Sequence, residues 1–313
     1  MNGMENNQPL LSICIPIYNR VEYLEKMLKR FSEDKELFDS KINLLISDNC
    51  STDDIKSCVD KFKMNGLKLS YNRNQKNLGA DGNFLYCFNH VSGKYCWLLG
   101  SDDIPVSGFL RTLIGILENN DYGLFHLNCY SGRENSIKNY SDNQQFLKDI
   151  NFWITYMSSN IIKSSYINQV NGYNYLGTNL LQVPYYLISC LKENKNGIYF
   201  TSCFEQDNDS ANNGSFNFFK VFVENLFNIY SVFQKEGLLT ENTIDSIKKY
   251  QFEHFIFSRI VLCLILKKNK NYLTDGAWSI IWRHYGKKYY FYLFPLKKTV
   301  QIVICKIKRL FNY

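Results

Sequence analysis

No Gly-x-Gly-x-x-Gly follows the first apolar segment of this chain, and no Gly-Lys-Ser/Thr phosphate loop occurs in it. The first absence disfavours a dinucleotide oxidoreductase, the second a P-loop enzyme. Metal-ligand spacing is missing too. The ten cysteines contain no C-x-x-C pair, and the four histidines, His90, His126, His254 and His284, stand apart, so a zinc site is disfavoured. Cys14, Cys96, Cys129 and Cys263 lie in apolar runs, where a free thiol behaves as a small hydrophobe. With no signal-like segment at Met1 to Asn7, reduced thiols in the cytoplasm are expected. The best hydrophobic run, Phe255 to Leu266, is too short to span a bilayer and is broken by Ser258 and Arg259. No internal repeat of fixed period is found.

What is present supports a substantial core. An apolar share of 45% and an aromatic share of 16% in 313 residues suit a large domain with an appended segment. The net charge of +7 is concentrated in the last 50 or so residues, which points to a local anionic partner and not to nucleic acid. The first third alternates strand and helix. Apolar runs at Leu10–Ile15, Ile42–Ile46, Leu67–Tyr71, Tyr95–Leu99 and Leu124–Cys129 read as strands, the first stopped by Pro16. Between them Val21–Phe31, Ile55–Phe62, Phe84–Phe88 and Phe109–Leu117 repeat at helical spacing, with Ser51 or Thr52 expected as the second helix's N-cap. The alternation predicts βαβ units in a doubly wound, mainly parallel α/β sheet. Beyond residue 130, Asn135–Asn143 reads as a loop, Ser159–Ile162 as a short strand, Val183–Leu191 as a helix, and Asp207–Phe216 as a polar loop. From Phe218 the pattern is helical. The expected division is 1–215, with a nucleotide half at about 10–130 and an acceptor half at 131–215, followed by a helical, basic region at 216–313.

Ligands of such a sheet sit at the carboxyl ends of its strands, and those ends are unusually polar here. They carry Pro16-Ile17-Tyr18-Asn19-Arg20, then Ser47-Asp48-Asn49-Cys50-Ser51-Thr52-Asp53, then Asn72-Arg73-Asn74 leading to Asn77, Gly79 and Asn83, and lastly Gly100-Ser101-Asp102-Asp103. Asp or Asn can pair with a base edge, and Arg forks onto phosphate oxygens. Gly admits a close backbone approach. Adjacent carboxylates favour a hard cation shared with a diphosphate. Taken singly, each motif is also ordinary turn and cap chemistry.

Together these four ordered motifs resemble family 2 glycosyltransferases of the GT-A fold, and more narrowly the abequosyltransferase-like bacterial enzymes that build surface polysaccharides. The likeness is good over residues 10–130 and loose over 150–205. It implies a nucleotide-diphosphate donor of UDP, CDP or GDP type bordered by Pro16, Tyr18 and Arg20, with Asp48 and Asn49 at the base. Asn77, Gly79 and Asn83 would belong to the same donor site. It implies that Asp102 bonds the ribose and that Asp103 ligates Mg²⁺ or Mn²⁺, with Gly100 in place of the motif's first acid. A hexosyl or deoxyhexosyl group would pass to a saccharide acceptor, lipid-linked, at the inner face of the bacterial membrane. The family's catalytic base aligns with Gln182, which cannot take a proton. The base is then Glu205, Asp207 or Asp209, with Gln182 orienting the acceptor, or else the chain is a catalytically inactive nucleotide-sugar-binding scaffold. At helical spacing, Leu296, Val300, Val303, Ile304, Ile307, Leu310 and Phe311 share one face opposite Lys297, Lys298, Lys306, Lys308 and Arg309. That pattern predicts a peripheral helix on an anionic membrane, helped by Trp278, Trp282, Tyr289, Tyr290 and Tyr292.

Overall fold

Strand β1 (Leu11–Ile17) is buried along nearly its whole length, as its apolar sequence, interrupted only by Ser12, requires of a strand covered on both faces. The computed structural model that contains it describes residues 8–130, 135–205, 216–268 and 271–298. The chain divides into two units, Met1–Asp209 and Ser210–Tyr313. The first unit is built on an eight-stranded sheet with β1 near its middle, in the order β3-β2-β1-β4-β7-β5-β8-β6. Its strands are β2 (Ile42–Asp48), β3 (Ser70–Arg73), β4 (Tyr95–Leu98), β5 (Leu124–Asn128), β6 (Ser136–Tyr140), β7 (Asn160–Lys163) and β8 (Asn196–Phe200). Its helices are α1 (Val21–Ser32), α2 (Leu37–Ser40), α3 (Ile55–Met64), α4 (Gly79–Asn89), α5 (Phe109–Glu118), α6 (Asn143–Ile150) and α7 (Gln182–Lys192). The expected alternation is present, and among the described residues four parallel pairings outnumber three antiparallel ones. The antiparallel pairs come from β7, which enters between β4 and β5, and from the edge strand β6.

Three local expectations are corrected. Pro16 does not stop β1, which runs on to Ile17 against Asp48 of β2. Leu99 N–H reaches Cys14 O while Asn49 N–H reaches Ile17 O, so by alternation Pro16 faces the β4 side. The register there ends at Leu98, and the missing N–H costs no ladder bond. The sheet therefore parts between β1 and β4 at the end where the polar motifs lie. The N-cap of α3 is Asp54, whose carboxylate accepts from Ser57 N–H; Ser51 and Thr52 are used in the turn before it. Residues 136–140 form β6 instead of a loop, paired with β8, because a solvated edge strand carries no continuous apolar pattern for a sequence reading to find.

The core between sheet and helices gathers Leu24, Met27, Leu28 and Phe31 of α1 with Ile55, Val59 and Phe62 of α3. Leu110, Leu113 and Leu117 of α5 join it, together with the fully buried Trp97 of β4. In the second unit α8 (Leu226–Lys235) and α9 (Glu241–Gln251) precede a helix at Ala277–Tyr285. Buried Gln251 donates to Phe222 O at 2.8 Å and accepts from the Tyr285 hydroxyl at 3.1 Å. The Phe252 ring packs against Tyr285, Tyr290 and Phe291.

Candidate active site

The turn after β1 holds two successive residues in left-handed backbone, Asn19 at φ 58° and Arg20 at φ 66°. Non-glycine residues take that conformation at a cost of roughly 1–2 kcal/mol each, so other contacts must fix it. Asn19 N–H donates to Ser51 Oγ at 2.8 Å, and Asn19 Oδ1 accepts from Thr52 N–H at 2.8 Å. Val21 N–H reaches Asp53 Oδ2 at 3.0 Å. The loops after β1 and β2 are thus laced together. The result presents Arg20 to Asp102, whose Oδ2 lies 3.0 Å from the guanidinium in a partly exposed pair.

Asp48 at the end of β2 has no exposed side-chain surface. Its Oδ1 accepts from Ser51 N–H at 2.8 Å, while Oδ2 accepts from Tyr71 OH at 2.8 Å and Arg73 at 2.9 Å. Burial pushes its carboxyl up, but the bonds from Ser51, Tyr71 and Arg73 outweigh that and hold it below its ordinary value. Asn49 is equally engaged. Its amide donates to Asn77 Oδ1 and Gly79 O, and its Oδ1 accepts from Asn74 and Leu78 N–H. Asn83 is buried on Ser47 and Asn74. The family resemblance implies that Asp48 and Asn49 meet the base and that Asn77 and Asn83 belong to the same donor site. In the structure the polar atoms of the buried Asp48, Asn49 and Asn83, and Oδ1 of the exposed Asn77, hold the loops together. Gly79, at φ 72°, is the one member of that set whose conformation itself favours glycine. Tyr18 remains 46% exposed, and Pro16 lies beside it at the β1 end.

The acid pair follows β4 as expected, but its two members differ. Asp103 is the more enclosed: Oδ1 accepts from Tyr156 OH and Oδ2 from Ser158 Oγ, each at 2.5 Å. Burial raises its pKa above the ordinary value, and both hydroxyls and Arg20 oppose the rise. Ser158 Oγ also accepts from Gly100 N–H at 2.9 Å. A Cβ on Gly100 would lie 2.8 Å from Asp103 Oδ2 and 3.1 Å from Asp102 Oδ1. Both carboxylates therefore border the space that glycine leaves open. Two hard oxygens around such a space fit a divalent cation completed by substrate phosphates. Asp102 and Asp103 would be its protein ligands. Among the described residues no group of three His, Cys, Asp or Glu side chains stands ready for a metal.

The other half of the site hangs on the 154–160 turn, whose importance the sequence did not announce. Fully buried Asn160 donates to Ile154 O and Tyr156 O, so its Oδ1 accepts the proton of His126 Nδ1 at 2.9 Å. His126 Nε2 then accepts from Tyr130 OH at 2.8 Å. Burial lowers the His126 pKa to about 4, which keeps it a neutral structural imidazole. Gln182 opens α7 and donates from Nε2 to Thr155 O at 2.9 Å, while its buried Oε1 has no partner among the described residues. Asp81, a second residue the sequence reading passed over, accepts from Asn179 and Leu181 N–H and so anchors the turn leading into Gln182. Beside that turn, Leu78, Leu85, Tyr86, Tyr173 and Leu176 line a cleft of about 450 Å³.

Of the candidate bases, Glu205 pairs through one carboxylate oxygen with Arg30 of α1, near the end of that helix remote from Arg20. Asp207 and Asp209 lie outside the described residues, as do residues 299–313 of the expected membrane helix.

No described helix is long and apolar enough to cross a membrane. Abequosyltransferase RfbV of Salmonella typhimurium is 45% identical over 105 residues, 33% of this chain and 31% of that protein. The GalNAc(5)-diNAcBac-PP-undecaprenol beta-1,3-glucosyltransferase of Campylobacter jejuni is 31% identical over 131 residues, 41% of each chain. The chain thus matches only about a third to two fifths of these relatives' lengths. Staphylococcus aureus TarS in complex with UDP superposes with a TM-score of 0.60 at 15% identity, over 86% of this chain and 78% of that one. The mannosyltransferase PcManGT of Pyrobaculum calidifontis, in complex with GDP-Man and Mn²⁺, gives 0.54 at 12% identity, over 98% and 88%. These likenesses identify the fold as GT-A. Residues 12–177, more than half of the sequence, match the family described as Glycosyl transferase family 2, and the chain belongs to that family.

Proposed function

We propose that this protein transfers a hexosyl or deoxyhexosyl group from a nucleoside-diphosphate sugar to a lipid-linked saccharide in the building of a bacterial surface polysaccharide. The observation that carries the reading is the Arg20–Asp102 pair, set beside Asp103 where β1 and β4 part. A cation and two carboxylates at a strand-end crevice suit a diphosphate ester. The matches support it, since one relative is named as an abequosyltransferase and another as acting on a PP-undecaprenol acceptor. A fold neighbour is in complex with UDP.

Arg20 faces the diphosphate, and Tyr18 lies against the base or ribose, with Pro16 and Gly79 forming the rim. Asp102 and Asp103 would hold Mg²⁺ or Mn²⁺, which when bound stabilises the departing diphosphate. Tyr156 and Ser158 keep the Asp103 carboxylate aimed at that place. Gln182 Oε1, buried without a partner among the described residues, accepts a hydrogen bond from a hydroxyl of the acceptor sugar other than the attacking one, and so orients the acceptor. The proton goes to Asp207 or Asp209, because Glu205 is held by Arg30 and glutamine is no base. The protein works in the cytoplasm, peripheral to the inner face of the membrane, through its basic C-terminal region.

The test is thermal stabilisation by UDP, CDP and GDP sugars, each with and without Mn²⁺, followed by transfer assays with the sugar that binds. Stabilisation by one nucleotide sugar together with turnover is the expected result. Binding without turnover would support the scaffold reading, which the missing acid at Gln182 favours. No stabilisation by any of them would overturn the donor site.

A further inference from the structure

Residues 276–298 contain five Lys or Arg and no Asp or Glu, and they carry a dense set of exposed large apolar side chains. On the helix Ala277–Tyr285 the buried face is Ala277, Ile280, Ile281 and Tyr285. Trp278 and Trp282, one turn apart, are 55% and 62% exposed. Residues 289–298 are helical as well. Tyr290 is only 4% exposed, and Phe291 and Phe294 pack on Phe252. This corrects the expectation that Tyr290 faces outward: its position on the helix belongs to the packed side.

That helix has a second apolar stripe. Tyr289, Tyr292, Leu293 and Leu296 are spaced i, i+3, i+4, i+7, so they share one face, and each is about half exposed or more. The helices adjoin, since the Trp282 ring meets Phe291 edge-on at 6.3 Å and Tyr292 OH donates to Gly286 O at 2.7 Å. Lys287, Lys297 and Lys298 are exposed around the stripe, and Lys249 donates to Tyr289 OH at 3.1 Å.

We propose that this surface, Trp278 and Trp282 with the Tyr289–Leu296 stripe, is itself a docking face for an anionic lipid bilayer. The composition decides between occupants. Tryptophan and tyrosine settle at the headgroup level, where ring and polar tip are both satisfied. Leucines enter the acyl boundary, and although Glu224 and Asp245 pair with Arg283 and Lys288, Lys287, Lys297 and Lys298 form no ion pair with a described acid and favour anionic headgroups. A complementary protein face would need acids to answer those lysines. A second copy of this chain would bring the same unpaired Lys287, Lys297 and Lys298 together. The proposal places the membrane contact on described residues upstream of 299–313, and rests on the reading above for the location of the acceptor.

The experiment uses the full chain with vesicles of phosphatidylcholine alone or with about a quarter phosphatidylglycerol. Binding is read by co-sedimentation and by quenching of tryptophan fluorescence with brominated lipid. The parent is expected to bind the anionic vesicles with quenching, and to detach as salt rises. Trp278→Ser with Trp282→Ser should lower vesicle binding about tenfold or more, as should Leu293→Ser with Leu296→Ser. All four side chains are exposed, so both variants should melt like the parent. Parental binding by both double variants would overturn the proposal. So would a parent that ignores anionic vesicles, or one that is a dimer broken by the tryptophan substitutions. Transfer to a soluble acceptor separates the two readings. Vesicle binding without any turnover counts against the enzyme and leaves the surface standing, whereas turnover without vesicle binding overturns the surface alone.

Discussion

Tyr156 donates its phenol to Asp103 Oδ1, while its neighbour in the chain, Thr155, accepts the amide of Gln182. One short turn therefore ties the carboxylate proposed to hold the metal to the glutamine proposed to orient the acceptor. Burial raises the Tyr156 pKa far above its ordinary value, so the phenol stays a donor at every working pH.

Replacing Asp103 with alanine should abolish transfer, by about a thousandfold or more, because a carboxylate facing the diphosphate is lost. Metal-dependent nucleotide binding should disappear while unfolding stays cooperative. Transfer at the parental rate would refute the assignment.

Tyr156→Phe tests the Asp103 contact itself. The phenol stabilises the charged carboxylate, so removing it should raise the Asp103 pKa further above normal. The acid limb of the pH–kcat profile should move to higher pH, with activity approaching the parent's on the alkaline side. An unmoved limb would mean that Asp103 ionisation does not control turnover.

For the base, amide substitution of Asp207 or Asp209 should lower turnover about a hundredfold while barely changing donor affinity. Glu205→Gln should leave turnover near the parental value, since Arg30 already holds that carboxylate. Loss of activity in Glu205→Gln alone, with both aspartate variants active, would reverse the choice.

Gln182→Leu keeps the volume but removes the bond to Thr155 and the unpartnered Oε1. The KM for the acceptor should rise and kcat fall about tenfold, with donor binding unchanged. Equal loss of donor affinity would place Gln182 outside the acceptor side.

Asp48 and Asp81 should respond to pH in opposite senses. Asp48 is held below its ordinary pKa, so its contribution is present above the unfolded value and is lost as pH falls through the folded one. Asp81 is raised by burial against its backbone hydrogen bonds. Its contribution is complete below the unfolded value and declines as pH rises through the folded one. Melting temperature against pH should therefore lose part of its acid-side dependence in Asp48→Asn, other carboxylates such as Asp121 and Asp149 being held below their ordinary values as well. In Asp81→Asn it should lose part of its decline on the other side. The same slope in both variants would contradict the two environments.

Helix and strand order through residue 129 could be read from the sequence, because buried strands such as Leu11–Ile17 and amphipathic helices such as α1 and α5 impose local apolar periods. The placing of Asp102 and Asp103 after β4 followed from the same pattern. Only the tertiary structure decided how the polar residues at these strand ends bond to one another. Asp48, Asn49 and Asn83 have the chemistry to meet a base, and in the fold they also bond Arg73, Asn74 and Ser47, partners that no local spacing predicts. Asp81 and the loop before Gln182 lie almost a hundred residues apart, and Asp103 and Tyr156 more than fifty. Side-chain hydrogen bonds across such separations leave no period in the sequence, because they depend on which loops the sheet brings to one edge.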